Sequence, residues 1–147
     1  MIPNNNKMIS KSSSDDFQRM ISKTSSNELV QDNKTGLMWI RRDNGKSLNW
    51  YEAKLCAEEL VFGGYKDWRL PFVIELQYLW DSSNRKIRSP FELTSQWVWS
   101  STSNESDCAW CFYFPIGLRF QYPLNVSYNL RALFVRDLKK EFLPLDS

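Results

Sequence analysis

The chain has 147 residues, 42% of them hydrophobic and 24% charged, with a formal net charge of +2. That length suits one domain with a real core, and so even a balance gives no charge-based case for nucleic acid or membrane partners. Histidine is absent, which removes the usual general base at neutral pH and the commonest metal ligand, so many enzyme classes are disfavoured.

Residues Met1 to about Asn27 are rich in Ser, Asn and Lys, with apolar residues only at scattered points such as Phe17, Met20 and Ile21. They are expected to form a disordered or loosely docked arm, and the stretch from Ile9 to Ile21 forms a helix only if something covers it. No run approaches the roughly 18 apolar residues of a membrane span, and the N-terminus lacks the apolar core of a secretory signal. Taken as a complete chain, the protein is expected in the cytoplasm.

From Glu28 the texture changes. The sequence ELVQD predicts a short strand, Asn33-Lys34-Thr35-Gly36 a turn, and LMWIRR from Leu37 to Arg42 a second strand carrying Trp39, together a β-hairpin. A polar loop from Asp43 to Ser47 leads to a helix start, where Asn49 and Glu52 have capping-box spacing. Ala53, Cys56, Ala57 and Leu60 then give one apolar helical face, and Gly63-Gly64 is expected to end the helix.

The next segment, GGYKDWRLP, mixes permissive glycines, aromatic bulk and paired charge. Gly64 can take a positive φ, while Pro71 fixes its own backbone and pushes Leu70 out of the helical region. Arg69, flanked by Trp68 and Leu70 and two positions from Asp67, is expected to be partly buried and paired. The segment reads as a keystone of the fold rather than a ligand site.

Val73 to Trp80 predicts a second helix, and a polar stretch follows from Asp81 to Pro90, basic at Arg85, Lys86 and Arg88. The remainder is strand-like: WVWSS from Trp97, AWCFYF from Ala109, LRFQY from Leu118 and ALFVRDL from Ala132. The predicted class is therefore α+β, with a hairpin, two helices and a run of antiparallel strands between residues 28 and 138, then a tail at 139–147.

Candidate chemistry is sparse. Cys108 and Cys111 form a C-x-x-C, but a structural zinc needs four ligands and this chain offers only one further cysteine and no histidine. The pair lies in predicted strand rather than at a helix start, so packing or surface thiols are the plainer reading. Three cysteines cannot all pair within one chain, which favours a reducing compartment. No phosphate loop, nucleophile elbow or calcium loop is present, and no metal, cofactor or catalytic residue is assigned. Arg85, Lys86 and Arg88 could meet an anionic ligand, although a short basic run is commonly just a solvated loop. Closely spaced aromatic strands could leave rings exposed for sugar stacking or protein contact.

Several motifs arrive in order: VQDNKTGLMWIRR, NWYEAKLCAEEL, GGYKDWRLPFVIEL, WVWSST, AWCFYFPIG and RALFVRD. Together they resemble the Lcl C-terminal domain family, named for the C-terminal domain of a collagen-like bacterial adhesin, over roughly Glu28 to Asp137. The resemblance implies a C-type-lectin-like fold, two helices packed on antiparallel sheet with long C-terminal loops. It also implies no catalysis, homotrimeric assembly, a cell-surface or extracellular setting, and binding of a glycan such as a sulfated glycosaminoglycan, or of a host or bacterial protein. The family often carries a cysteine in its closing strand, where this chain reads Ala132-Leu133-Phe134-Val135-Arg136, so Cys56 is expected to remain a buried thiol. Thr or Ser often opens the second helix, where this chain has Phe72-Val73 and loses a favourable cap. No EPN or QPD triplet of calcium-dependent sugar sites is present.

These considerations assign Arg85, Lys86, Arg88, Trp110, Arg119 and Tyr122 to ligand contact. They assign Gly36, Trp39, Cys56, Gly64, Asp67, Trp68, Arg69, Pro71, Trp99 and Arg136 to the fold. Two other functions remain: an intracellular protein-interaction or effector-like module of the same fold, and an enzyme on the related formylglycine-generating scaffold using Cys108 and Cys111.

Overall fold

The computed structural model describes residues 26–104 and 107–138. The expected helix at 9–21, the tail at 139–147, and all but the last two residues of the expected arm lie outside these. After a 3-10 turn at Ser26–Glu28, the elements run β1 (Leu29–Asp32), β2 (Leu37–Ile40), α1 (Trp50–Glu59), α2 (Val73–Tyr78), β3 (Trp80–Asp81), β4 (Lys86–Ile87), β5 (Trp97–Ser103), β6 (Cys108–Tyr113), β7 (Leu118–Pro123), β8 (Leu130–Arg131) and β9 (Val135–Asp137). They form a three-stranded sheet ordered β1-β2-β9, a two-stranded sheet β3-β4, and a four-stranded sheet ordered β7-β6-β5-β8.

The predicted first hairpin is present, with Leu29 opposite Ile40 and Asp32 opposite Leu37. Gly36, at φ +74, closes it by donating its N–H to Asp32 C=O at 2.9 Å. All four β2 residues are buried, yet they alternate between two cores: Met38 and Ile40 enter one, Leu37 and Trp39 the other. A strand with period two and both faces covered gives an unbroken apolar run of this kind. Strands β5 and β6 repeat the pattern. Trp99 and Cys111 face the first core while Val98 and Phe112 face the second.

Helix α1 closes the first core with the predicted face of Ala53, Cys56, Ala57 and Leu60. Its capping box forms as expected, Asn49 Oδ1 accepting from Glu52 N and Glu52 Oε1 from Asn49 N, each at 2.9 Å. Helix α2 closes the second core through Leu76, with Leu79 just past its end. Phe72 has no side-chain acceptor to cap it, and the start is held differently. Phe72 N–H donates to Glu75 Oε1 at 2.9 Å, and Val73 N–H to Thr102 Oγ1 at 3.3 Å.

Four expectations are corrected. Helix α1 ends at Glu59, before the glycines, because Leu60 turns extended (φ −76, ψ 131) to bury its side chain. Gly63 and Gly64 instead make a tight turn at φ +66 and +85, closed by two 3.0 Å backbone bonds between Phe62 and Tyr65. Helix α2 stops at Tyr78, and the polar stretch after it contains the β3–β4 hairpin. The closing strand expected from Ala132 forms only at Val135–Asp137, as β9; Ala132–Phe134 carry the chain across to it from β8, an unforeseen strand that runs parallel to β5 and breaks the antiparallel run. Asn44 secures that crossing, donating N–H to Ala132 C=O at 3.1 Å and accepting from Ala132 N–H at 2.8 Å.

The DWRLP segment ties two sheets together, as a keystone of the fold would. Trp68 is buried and donates Nε1–H to Phe62 C=O at 3.3 Å. Arg69 exchanges two backbone bonds with Val135 (2.8 and 3.0 Å), while Pro71 C=O accepts from Ser101 N–H at 2.7 Å. One short loop thereby joins β9 of one sheet to β5 of another. The charges pair across the chain rather than with each other. Asp67 takes Arg136 (2.6 Å), whose guanidinium lies 3.6 Å from the Tyr65 ring centre. Arg69 grips Glu75 through two bonds of 2.9 and 3.0 Å and also reaches Asp137 at 3.0 Å. Burial works against the Arg69 charge, but the bonds to Glu75 and Asp137 outweigh it and hold the proton more tightly than usual.

Candidate functional site

The basic hairpin is preset by its own turn. Asp81 accepts from Asn84 Nδ2 (2.8 Å) and from the N–H groups of Ser83 (3.0 Å) and Asn84 (3.3 Å), which leaves Arg85 in the left-handed region at φ +54. The Asn84 side-chain bond is the largest cause holding the Asp81 carboxyl below its usual range, with the nearby charge of Arg88 adding to it. Ile87 is buried in the second core, so Lys86 and Arg88 on either side of it point outward and are exposed. Arg88 is anchored at the end of α2, donating N–H to Leu79 C=O at 2.7 Å and Nε–H to Tyr78 C=O at 2.9 Å. Among the described residues its terminal nitrogens make no hydrogen bond.

Gly117 sets the hairpin against the four-stranded sheet. At φ +67 it occupies backbone space costly for other residues, and a Cβ there would lie 2.4 Å from the Trp80 indole. The β6–β7 turn can therefore lie directly on β3. Trp80 Nε1 is buried there without a hydrogen-bond partner among the described residues.

The register Trp110↔Gln121 and Phe112↔Arg119 puts Trp110 and Arg119 on the same side of that sheet as Phe112, the α2 side. The Arg119 guanidinium lies 4.8 Å from the Trp110 ring centre, and among the described residues it forms no ion pair. Tyr122, one residue beyond Gln121, faces the opposite side. There Trp97 stacks between Tyr113 (4.2 Å) and Tyr122 (5.3 Å). Of the six candidate contacts, Trp110 and Arg119 thus share the α2 side of the sheet, and Arg85, Lys86 and Arg88 lie on the hairpin whose Ile87 packs into the second core on that side. Tyr122 does not join them.

Trp39, Cys56 and Trp99 are buried, and Trp99 donates Nε1–H to Leu48 C=O at 2.9 Å. All three cysteines are thiols. The three-residue spacing of Cys108 and Cys111 along β6 turns them to opposite sides. Burial pushes the Cys111 thiol up to about 12, only partly offset by a backbone bond from Phe120, which disfavours the thiolate that redox or metal chemistry requires.

Sequence reasoning missed two buried carboxylates. Glu28 is inaccessible and pairs with Arg41 (3.2 Å) and Arg42 (3.1 Å). Asp43 accepts from Thr94 N–H (2.7 Å), Thr94 Oγ1 (2.9 Å) and Gly45 N–H (2.8 Å), and Thr94 Oγ1 in turn accepts from Arg131 at 2.7 Å. Burial raises the Asp43 carboxyl above its usual range despite these bonds. The Asp43-Asn44-Gly45 sequence signals a turn, but nothing local marks Thr94 as its partner.

The sequence pattern of the Lcl C-terminal domain matches residues 28–136, and the chain belongs to that family. The matched span takes in both helices, all three sheets and the DWRLP keystone, and it ends at Arg136. No curated protein matches the sequence.

Proposed function

We propose that this is a non-enzymatic recognition domain of the bacterial cell surface, lectin-like in fold, which binds a sulfated glycan through its α2 side. One observation carries the proposal. Arg85, Lys86 and Arg88 on the β3–β4 hairpin and Arg119 on β7 are all exposed and none forms an ion pair among the described residues, whereas Arg69 and Arg136 in the keystone are each matched to carboxylates. Sulfate groups would supply Arg119 with the counter-charge it lacks among the described residues and would add to the lone Asp81 beside the hairpin cations, and stacking on Trp110 keeps the Arg119 fork pre-oriented, so less side-chain entropy is lost on binding. Trimeric assembly would multiply weak single sites.

Heparin binding measured at low and high salt tests the proposal. Affinity is expected to fall by about tenfold or more as salt screens the contacts, and Arg85→Ala, Lys86→Ala combined with Arg119→Ala is expected to abolish binding without moving the melting temperature. Salt-independent binding, or full binding by the triple variant, would rule it out.

A further inference from the structure

The outer edges of the sheets are not equally defended. The outer edge of β9 is taken by the backbone of Arg69, and β7 carries Arg119 and Pro123, a charge and a missing donor that both discourage strand addition. Strand β1 has no proline and no covering backbone among the described residues, and its one charge, Asp32, stands at its end beside the turn. Arg41 N–H bonds Glu28 C=O at 2.7 Å, so by antiparallel alternation Glu28, Val30 and Asp32 face β2. The main-chain N–H and C=O groups of Leu29 and Gln31 therefore point to the free edge, about 7 Å apart. Among the described residues they have no backbone partner.

A trough accompanies this edge. One groove of about 540 Å³ runs past Asn27, Leu29 and Arg41, and a second of about 630 Å³ runs past Trp39, Leu79 and Phe91; Val30, Gln31 and Pro90 border both. The floor is apolar, with Phe91 set edge-on to Trp39 at 5.7 Å. The far rim carries Lys34 and Arg88 together with one carboxylate, Asp32, and neither cation forms an ion pair among the described residues, so the rim is net positive.

We infer that the β1 edge binds an extended peptide segment of a partner protein as an added strand. Its main chain pairs with Leu29 and Gln31, alternate apolar side chains rest on Val30 and Phe91, and an acidic side chain meets Lys34 and Arg88. Main-chain bonds supply affinity and the alternate side-chain positions supply selectivity. The site is separate from the glycan face, with Arg88 alone bordering both.

The test titrates a capped peptide of alternating valine and threonine with one terminal glutamate into the isotope-labelled full chain, followed by NMR. Shift changes confined to β1 and residues 88–91 are expected, with slowed hydrogen exchange at the Leu29 and Gln31 amides. An N-methylated copy of the peptide is expected to bind at least tenfold more weakly. Gln31→Pro removes an outward N–H without touching the β1–β2 ladder, and is expected to weaken the peptide equally while heparin binding persists. Equal binding of methylated and unmethylated peptides to the unaltered protein would overturn the inference, whatever Gln31→Pro does to folding. So would amides already protected without peptide: at every concentration this would mean that residues 1–25 cover the edge, and with rising concentration that a second copy does.

Discussion

Arg136 and Arg119 both lie against aromatic rings, on opposite sides of the molecule, and the similarity ends there. On the α1 side, Arg136 is 2% exposed, pressed on Tyr65 and locked to Asp67. On the α2 side, Arg119 is exposed on Trp110 and forms no ion pair among the described residues. What separates a structural arginine from a recognition arginine is the counter-charge and the burial, not the ring beneath it. A buried guanidinium without a partner would be intolerably costly, whereas an exposed one can wait for a ligand.

Replacing each arginine by alanine tests that contrast. Arg136→Ala is expected to cost about 3 kcal/mol, the lower end for a broken buried pair, since Asp67 keeps solvent contact; urea denaturation measures it. A cost below about 1 kcal/mol would mean that the keystone pair adds little. Between these extremes lies Cys111, on the α1 side. The unfolded thiol loses its proton above about pH 9 while the folded thiol keeps it to about 12. The unfolded state then binds fewer protons, so stability should fall as pH rises through that window, by about 1.4 kcal/mol per unit. Subtracting the pH profile of Cys111→Ala isolates this slope, and parallel profiles would show that Cys111 is wetter than its position implies. The smallest effect on stability is expected from Arg119→Ala, within about 0.5 kcal/mol, with heparin affinity nonetheless falling several-fold in a binding titration. If Arg119→Ala destabilised the fold as much as Arg136→Ala, the contrast between the two sides would collapse.

Much of this was legible in the sequence, and unevenly so. The hairpin, the capping box of α1 and its buried face followed from spacing that neighbouring residues enforce. The keystone character of DWRLP was visible in its mixture of residue types, but its partners were not: Arg69 was placed beside Asp67, while its carboxylates are Glu75 and Asp137. A pairing 68 residues apart leaves no local trace. The closing strand was started too early because Ala132–Phe134 are as apolar as any strand, and only the change of sheet sets them apart from β9, while β8 was not foreseen. The two-residue strands of the basic hairpin are too short to show a period. At the candidate site, residue types were readable one at a time, but the sharing of a side was not. It depends on the β6–β7 register and on Gly117 admitting Trp80, both properties of the folded sheet.

The order of the three-stranded sheet has a consequence for how the protein is made. Strand β2 leaves the ribosome early, yet its partner β9 and the carbonyl and amide of Val135 that clasp Arg69 are among the last parts of the matched domain to emerge. A nascent chain stalled before Val135 holds Asp67 and Arg69 without Arg136 or Asp137 and leaves one flank of Trp39 uncovered. The domain therefore completes its fold only once its own last strand has been made, and a chain cut off within the final few residues of the domain should be a target for proteolytic clearance rather than a shortened but serviceable product.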